Sequence, residues 1–434
     1  RYDGTSRFLS DNRWKFYPGV SAGWVVSKEN FWEPLAQSFH FLKLRASYAS
    51  LGDQSPMGYY PFFPSMSVTV PTSNNYYLEG TRLAAVSLAG LVDPSLTWIT
   101  TTTLDLGIDM SFLKNRLNVT FGWYDRKMDD FVGPAEPLPA FLGTDAPQRN
   151  STAIETKGWD LTVEWKDRIS EVSYGIRGVL GDYRGVVKKY PNPTKLLSTW
   201  YEGQVMGEIW GYESDGLFQS AEEVASAPSQ SLFWSTWGPG DVRYNDLNGD
   251  GKITNGTNTL DDPGDRRIIG NSTPRYSFGL TLSAEYKGFD ALVFFNGVGK
   301  RDAWTTTPYF WSVNNNTSFL SEMHLGNYWT EETPNAYLPK TYIYDGQISK
   351  NQQTSTRYLQ NAAYVRLKNI QFGYTLPSAL SGKIKCKRLR VYMNGENIFS
   401  IMNKWINYSD PEYAGSATTY PNYRTWSAGL NITF

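Results

Sequence analysis

Cysteine is nearly absent: Cys386 is the single one in 434 residues, so no internal disulfide, cysteine-based zinc cluster or redox pair can form. Histidine is almost as scarce, and His40 and His324 stand far apart without HExxH-type spacing. Charge of one sign is not in excess, since 41 Lys+Arg face 42 Asp+Glu, and the basic footprint of a nucleic-acid binder is missing. No stretch approaches the ~20 apolar residues of a membrane helix. The opening RYDGTSRFLSDN lacks the charged-then-apolar pattern of an export signal, so either the protein is not exported or this chain is not its whole length. Catalytic fingerprints are missing as well: there is no GxSxG, P-loop or dinucleotide motif. The carboxylate pairs Asp129/Asp130, Glu222/Glu223 and Glu331/Glu332 lie in loop segments and read as solvated charge, and GVGKRD (297 to 302) ends a strand instead of opening a helix. No catalytic residue is assigned.

What the chain does have is aromatic side chains, 15% of its residues, in a sequence that is polar on average. A structure that makes only every second residue of its strands apolar, and carries long polar loops, has this composition. Period-two alternation recurs about eleven times. In TLDLGIDMSF, Leu104, Leu106, Ile108, Met110 and Phe112 oppose Asp105, Gly107, Asp109 and Ser111. In RYSFGLTLSAEY, Tyr276, Phe278, Leu280, Leu282, Ala284 and Tyr286 oppose Arg275, Ser277, Gly279, Thr281, Ser283 and Glu285. Other segments run from about Trp14 to Val26, Leu42 to Tyr48, Leu117 to Tyr124, Trp159 to Trp165, Val172 to Leu180, Phe289 to Gly297, Tyr364 to Leu376, Leu389 to Asn397 and Tyr423 to Phe434. Most have the ~9–11 residues that cross a bilayer as a tilted strand.

Connection lengths alternate. Short ones are expected at 27 to 39, 111 to 116, 166 to 171, 286 to 288 and 377 to 387, and long ones at 52 to 96, 128 to 154, 185 to 271, 303 to 360 and 401 to 422. In an antiparallel meander, alternate connections share an end, so tight turns gather at one rim and long loops at the other, the layout of outer-membrane barrels. Lys188 and Lys350 are then expected to be open to protease from outside, and Lys114 and Arg168 to be closed. The final TWSAGLNITF keeps Trp426, Ala428, Leu430, Ile432 and Phe434 on one face to its last residue, as a lipid-facing strand requires. The fold class expected is all-β, a transmembrane antiparallel barrel. Single-chain barrels have even strand numbers, so the eleven strands read as the C-terminal half of a barrel of ~22 strands, a size that encloses a plugged lumen.

The segments RYDGTSRFLSDNRWKFYPGVSAGWVVSKENFW, LKLRASYASLGDQ, DPSLTWITTTTLDLGIDMSFLKNRLNVTFGWYDRKMDDF, GDVRYNDLNGDGKI, YVRLKNIQFGYTLP and VYMNGENIFSI, in this order and closing on YRTWSAGLNITF, resemble the SusC/RagA family of TonB-dependent outer-membrane transporters. One departure is Ile99-Thr100, where the family pattern has Glu-Lys. The resemblance implies energised import of an oligosaccharide or a peptide. It implies a SusD-like surface lipoprotein as hinged lid, a TonB complex acting through an N-terminal region ahead of the barrel, and the remaining barrel half of the same polypeptide. It also implies outer-membrane lipid around residues 1 to 434, with no catalysis.

The long loops are rich in aromatics, among them YYPFFPSM (59 to 66), WYEGQVMGEIWGY (200 to 212), LFWSTWGPGD (232 to 241) and WTTTPYFWSVNNN (304 to 316). Flat rings stack on sugars but equally pack against a partner or against each other. Trp234, Trp237, Tyr244, Trp304, Tyr309 and Trp311 are the candidate substrate- or partner-binding residues. In the loop 185 to 271, DLNGDGKIT places Asp246, Asn248 and Asp250 at positions 1, 3 and 5 of a calcium loop, with Gly251 at 6, Lys252 at 7 and Thr254 at 9. Position 12 is Thr257, so a replacement carboxylate has to come from Asp261, Asp262 or Asp265. The expectation is a structural Ca²⁺ that orders the loop, set against an Asx-turn loop without metal. Two further readings stay open: a lid-free TonB-dependent siderophore or cofactor transporter, and a soluble all-β glycan-binding or hydrolytic protein.

Overall fold

A computed structural model describes residues 1–55, 57–69, 77–135, 138–144, 146–307, 310–311, 322–342, 345–403, 410–414, 420 and 422–434. Its centre is one eleven-stranded antiparallel sheet in which every strand pairs with its sequence neighbours. The strands are β1 (Gly19–Trp24), β2 (Phe39–Asp53), β3 (Ile99–Phe112), β4 (Leu117–Pro134), β5 (Gln148–Ile169), β6 (Val172–Lys189), β7 (Arg275–Tyr286), β8 (Phe289–Lys300), β9 (Tyr364–Thr375), β10 (Arg388–Met402) and β11 (Thr425–Thr433). Each of the eleven alternating segments is one of these strands. The first is shorter than its pattern, because Trp14–Phe16 pairs with Tyr2–Gly4 in a separate ribbon.

Register puts the apolar residues in lateral rows. Trp24 faces Leu44, Leu44 faces Ile108, Ile108 faces Phe121, Phe121 faces Leu161 and Leu161 faces Leu180. The row continues through Phe278, Gly297, Val365 and Ile401. One residue over, Arg45, Gly107, Gly122, Asp160, Gly181 and Ser277 form a small and polar row on the other face. A one-residue slip would exchange the two faces along a whole strand, which is why strict alternation fixes the register.

The tight connections share one end. Lys287 and Gly288, joining the pair Tyr286 and Phe289, both have positive φ, 47° and 89°, the two-residue I′ geometry that matches the strand twist. At this end the apolar face becomes aromatic: Phe39 stacks on Phe112 with centroids 4.3 Å apart, and Phe289 lies 4.5 Å from Tyr374. Aromatic girdles of this kind mark the edge of a lipid band.

At the other end several strands run far beyond the expected length. β4 and β5 stay paired from Leu117/Trp165 to Pro134/Gln148, with bulges between Met128 and Val132. Most of the segment 128 to 154 is therefore hairpin and not open loop. The 22 residues of β5 extend ~70 Å at the usual rise per residue, well over what a bilayer needs. Ile99, at the departure from the family pattern, is buried with Phe8, Tyr17, Met57, Leu96 and Trp98, and the Thr100 hydroxyl accepts from Lys15 Nζ at 2.6 Å. An apolar contact and a neutral acceptor stand where Glu-Lys was expected.

Candidate functional site

The polar face of the sheet carries ion pairs seated over glycines. Arg45 Nε donates to Asp109 at 2.9 Å, and its guanidinium occupies the space a Cβ on Gly107 would need. Arg390 holds Asp290 through Nε at 2.8 Å and Nη2 at 2.5 Å, lying over Gly373 in the same manner. Glycine opposite a long cation is what lets a charged side chain lie flat along the wall.

At the long-loop end the two longest connections fold into one body. The first, after β6, contains the antiparallel pairs Glu208–Tyr212 with Arg266–Asn271 and Ser214–Leu217 with Val242–Tyr244, and a short helix Ala221–Ser226 capped by Ser220. The expected 185 to 271 segment starts too early, because β6 continues to Lys189, while Asn271 closes the outer pair at its end. The second connection, after β8, begins with Asp302–Ala303 paired to Gln360–Asn361. One buried cluster draws on both, taking Tyr212, Leu217, Val242, Tyr244 and Ile253 from the first and Phe310, Trp311, Trp329, Leu338 and Tyr358 from the second.

A buried ion pair joins the two. Lys350 Nζ lies 2.6 Å from Asp241 Oδ2, with side-chain exposures of 2% and 0%. Lys350 also donates to the Thr236 carbonyl at 2.9 Å and Tyr342 Oη at 3.3 Å, and sits 4.4 Å from the Tyr342 ring centroid. Asp241 accepts from Asn351 Nδ2 at 2.8 Å and the Gly238 N–H at 2.9 Å, so its lone pairs are used. Burial pulls the Lys350 ammonium below its usual value, with Asp241 opposing, and burial pushes the Tyr342 phenol up. Removing water from both charges is tolerable because each has several partners.

This corrects three expectations. Tyr244 and Trp311 are 1% and 4% exposed, so they are core of the loop body and not a binding surface. Lys350 is closed to protease by its own burial. Of the other aromatic candidates, Trp237 is half-buried under Lys350 at 5.1 Å and donates Nε1 to the Trp234 carbonyl. Trp234 is half-buried, and Trp304 packs on Trp311 with centroids 5.8 Å apart. Tyr309 lies outside the described residues. Asp241 and Asn351 were not singled out by sequence, and Lys350 only as a protease site; Asp241 stands five residues before the acidic motif, but nothing marks Lys350 as its partner.

The acidic motif folds as a tight turn. Asp246 accepts from the Gly249 and Gly251 N–H groups at 2.6 and 2.8 Å, Asn248 Oδ1 from the Asp250 N–H at 3.0 Å, and Asp250 Oδ1 from the Lys252 N–H at 2.8 Å. The slight burial of Asp246 works to raise its pKa, but the Gly251 and Gly249 N–H groups hold the carboxyl below its usual value. Asp265, 0% exposed, ties both ends of the turn by accepting from the Leu247 and Thr254 N–H groups at 2.8 and 2.6 Å. Asp262 serves a different turn through the Thr257 N–H, and Asp261, its side chain 80% exposed, faces Lys195. Of the three carboxylates, Asp265 is the one turned into this loop, whereas Asp262 and Asp261 lie outside it. Among the described residues no group of three or more His, Cys, Asp or Glu is arranged to hold a metal ion. Asp246 and Asp265 each spend one lone pair per oxygen on a backbone N–H, Asp250 Oδ2 accepts from the Asn248 side-chain amide, and Lys252 and Thr254 contribute their own N–H to the turn.

The last long connection also docks on a charged cluster. Arg366 Nη2 reaches Asp410 at 2.7 Å, Lys368 Nζ reaches Glu412 at 3.0 Å, and Arg301 grips the carbonyls of Pro411, Glu412 and Ala414 at 3.3 to 3.4 Å. Burial works to raise the Asp410 pKa, but Arg366 and the Glu412 N–H hold its carboxyl below the usual range.

Comparison with known proteins fits this geometry. The family model described as TonB dependent receptor-like, beta-barrel matches residues 1–398. TonB-dependent receptor P3 of Formosa agariphila is 27% identical over an alignment of 465 positions, spanning all of this chain and 43% of that protein. TonB-dependent receptor SusC of Bacteroides thetaiotaomicron is 25% identical, spanning all of this chain and 41% of its own length. The solved RagAB peptide importer in its closed-closed state shares the fold at a TM-score of 0.77 with 22% identity, over all of this chain and 45% of that one. The chain spans less than half the length of the curated relatives it matches. The β meander, with its apolar outer row, tight turns at one end and folded loops at the other, agrees with a β-barrel description, and the chain belongs to the TonB-dependent receptor β-barrel family of outer-membrane proteins, with SusC among its relatives.

Proposed function

We propose that the protein is a SusC-like, TonB-dependent importer of oligosaccharide or peptide, with residues 1–434 forming the C-terminal part of its barrel and a SusD-like surface lipoprotein closing over its loops. The observation that carries this reading is the single body built from the two longest loops at one end of a polar-lined sheet. A lid needs a platform of fixed shape, and open loops of this length would lose too much entropy on binding to provide one. The likeness to SusC supports the same reading, and the solved relative named as a peptide importer supports a peptide as substrate. The polar face, with its charged side chains laid flat over glycines, suits a hydrophilic solute. The role offered for the acidic loop is structural: Ca²⁺ held by Asp246 and Asp265 would fix the turn that carries Tyr244 into the core. The work is transport, not catalysis.

The test is uptake by whole cells expressing the full-length receptor, offered labelled oligopeptides and oligosaccharides with and without a protonophore. Accumulation that stops with the protonophore, together with copurification of an equally abundant lipoprotein, supports the reading. Energised uptake of an iron chelate with no copurifying lipoprotein would turn it to the lid-free alternative.

A further inference from the structure

We propose that the outward face of β1–β6 carries a binding site for a phosphorylated glycolipid of the outer leaflet, with its acyl chain in a groove beside Trp123 and its phosphates on a cationic patch next to it on the loop side. Two independent features meet there. The first is a dent in the apolar face. Ala22 and Ala46 are directly opposed, Ala46 faces Leu106 and Leu106 faces Trp123, so two small side chains interrupt a row of large ones. Trp24, Leu44, Phe121 and Trp123 stand around them, and the groove so formed has a volume of about 590 Å³ with almost wholly apolar walls. On a lipid-facing surface the chain that fills such a groove is a hydrocarbon tail.

The second feature is charge on the same face, one step nearer the long loops. Trp123 faces Trp159, and beyond this aromatic pair Asp125 faces Lys157, Lys157 faces Arg184 and Lys127 faces Glu155. Lys188 reaches Glu155 at 2.9 Å, and Lys157 lies 3.3 Å from Glu155 and 3.9 Å from Asp125. Those two carboxylates are thus shared by Lys157 and Lys188, while Arg184 and Lys127, both exposed, form no ion pair among the described residues. Asp129 is the next carboxylate out on β4, opposite Thr100, leaving four cations against three anions. Neighbouring strands are ~4.8 Å apart, so Lys127, Lys157 and Arg184 span about the width of a sugar headgroup. Arginine offers a planar fork for phosphate and lysine a mobile point charge. The tight turns lie at the opposite end of the strands, so this patch is on the outer-leaflet side of the barrel.

The test is native mass spectrometry of the full-length receptor, delipidated in detergent and offered bis-phosphorylated lipid A, its dephosphorylated form, or phosphatidylethanolamine. The proposal expects lipid A to be retained about tenfold or more over the dephosphorylated form, since one charge-assisted hydrogen bond to phosphate strengthens binding by about that factor. Lys127→Gln with Arg184→Gln should abolish this preference, and Ala46→Trp should lower retention of both forms. Equal retention of the two forms by the unaltered receptor, or a preference that survives Lys127→Gln with Arg184→Gln, would overturn it, as would equal retention of phosphatidylethanolamine. Assembly is checked by heat-dependent gel mobility, and the comparison of the two lipids on the unaltered receptor decides the matter if Ala46→Trp does not assemble.

Discussion

Lys350 and Asp241, 109 positions apart, meet at 2.6 Å in the interior of a body that neither loop could build alone. Removing one partner leaves the other charge buried without compensation, which costs about 3–5 kcal/mol. Lys350→Met should therefore loosen residues 190 to 274 and 322 to 360 in hydrogen exchange while the sheet stays protected, and Lys350→Met with Asp241→Leu should restore much of the protection. Unchanged exchange in Lys350→Met would show that the pair does not hold the loops together.

The two faces of β7 should respond differently to the same residue. Leu280 faces Phe295 and Gly178 in the apolar row, whereas Thr281 faces Phe294 and Arg177 on the polar side. Arginine on a lipid-facing strand costs ~2–4 kcal/mol near the bilayer midplane. Leu280→Arg should lower the midpoint of denaturant unfolding from vesicles by that amount, and Thr281→Arg by much less. Equal losses would contradict the assignment of faces.

The acidic loop gives a metal-dependent prediction. With Ca²⁺ present, protease cleavage within residues 245 to 265 should slow, and a chelator should reverse this; Asp246→Ala with Asp265→Ala should remove the difference. A chelator without effect on the unaltered protein would leave Asp265 a purely hydrogen-bonding residue. Asp265→Ala alone still exposes the Leu247 and Thr254 N–H groups to a loss of about 1–3 kcal/mol each.

Acid should release the last loop. The Asp410 carboxyl is held below its usual range when folded, so it binds fewer protons folded than unfolded, and its contribution is complete above the ordinary aspartate value near ~3.9 and lost as pH falls through the lower folded value. Hydrogen exchange of residues 410 to 414, taken as a ratio to the intrinsic amide rate at each pH, should be slow at neutral pH and rise below about pH 4. In Asp410→Asn it should be fast throughout. A ratio to the intrinsic rate that does not change with pH in the unaltered protein would show that the Arg366 contact does not secure the loop.

Much of the fold was legible because a lipid-facing strand has to alternate. Leu104 to Phe112 and Tyr276 to Tyr286 expose one rule each, and all eleven segments found by that rule are strands of the sheet. Strand ends were not legible, since beyond the lipid band pairing continues without alternation: Met128 to Pro134 remains paired with Gln148 to Ile154 although its residues follow no two-residue pattern. The loop body was hidden for another reason. Tyr244 and Trp311 have the same local sequence character whether they meet a sugar, a partner or each other, and only the approach of the two loops decides it. Asp265 was one of three equivalent carboxylates by spacing, and the backbone path alone turns it inward.

The long loops are expected to lie outside the cell and the tight turns inside the envelope. This topology is tested by a membrane-impermeant maleimide on intact cells, using the full-length receptor with Cys386→Ser as background and a single cysteine at Leu247→Cys, on the acidic loop, or Lys114→Cys, in the turn between β3 and β4. Labelling is expected for Leu247→Cys in intact cells and for Lys114→Cys only after the outer membrane is opened. Labelling of Lys114→Cys in sealed cells, with Leu247→Cys silent, would contradict it.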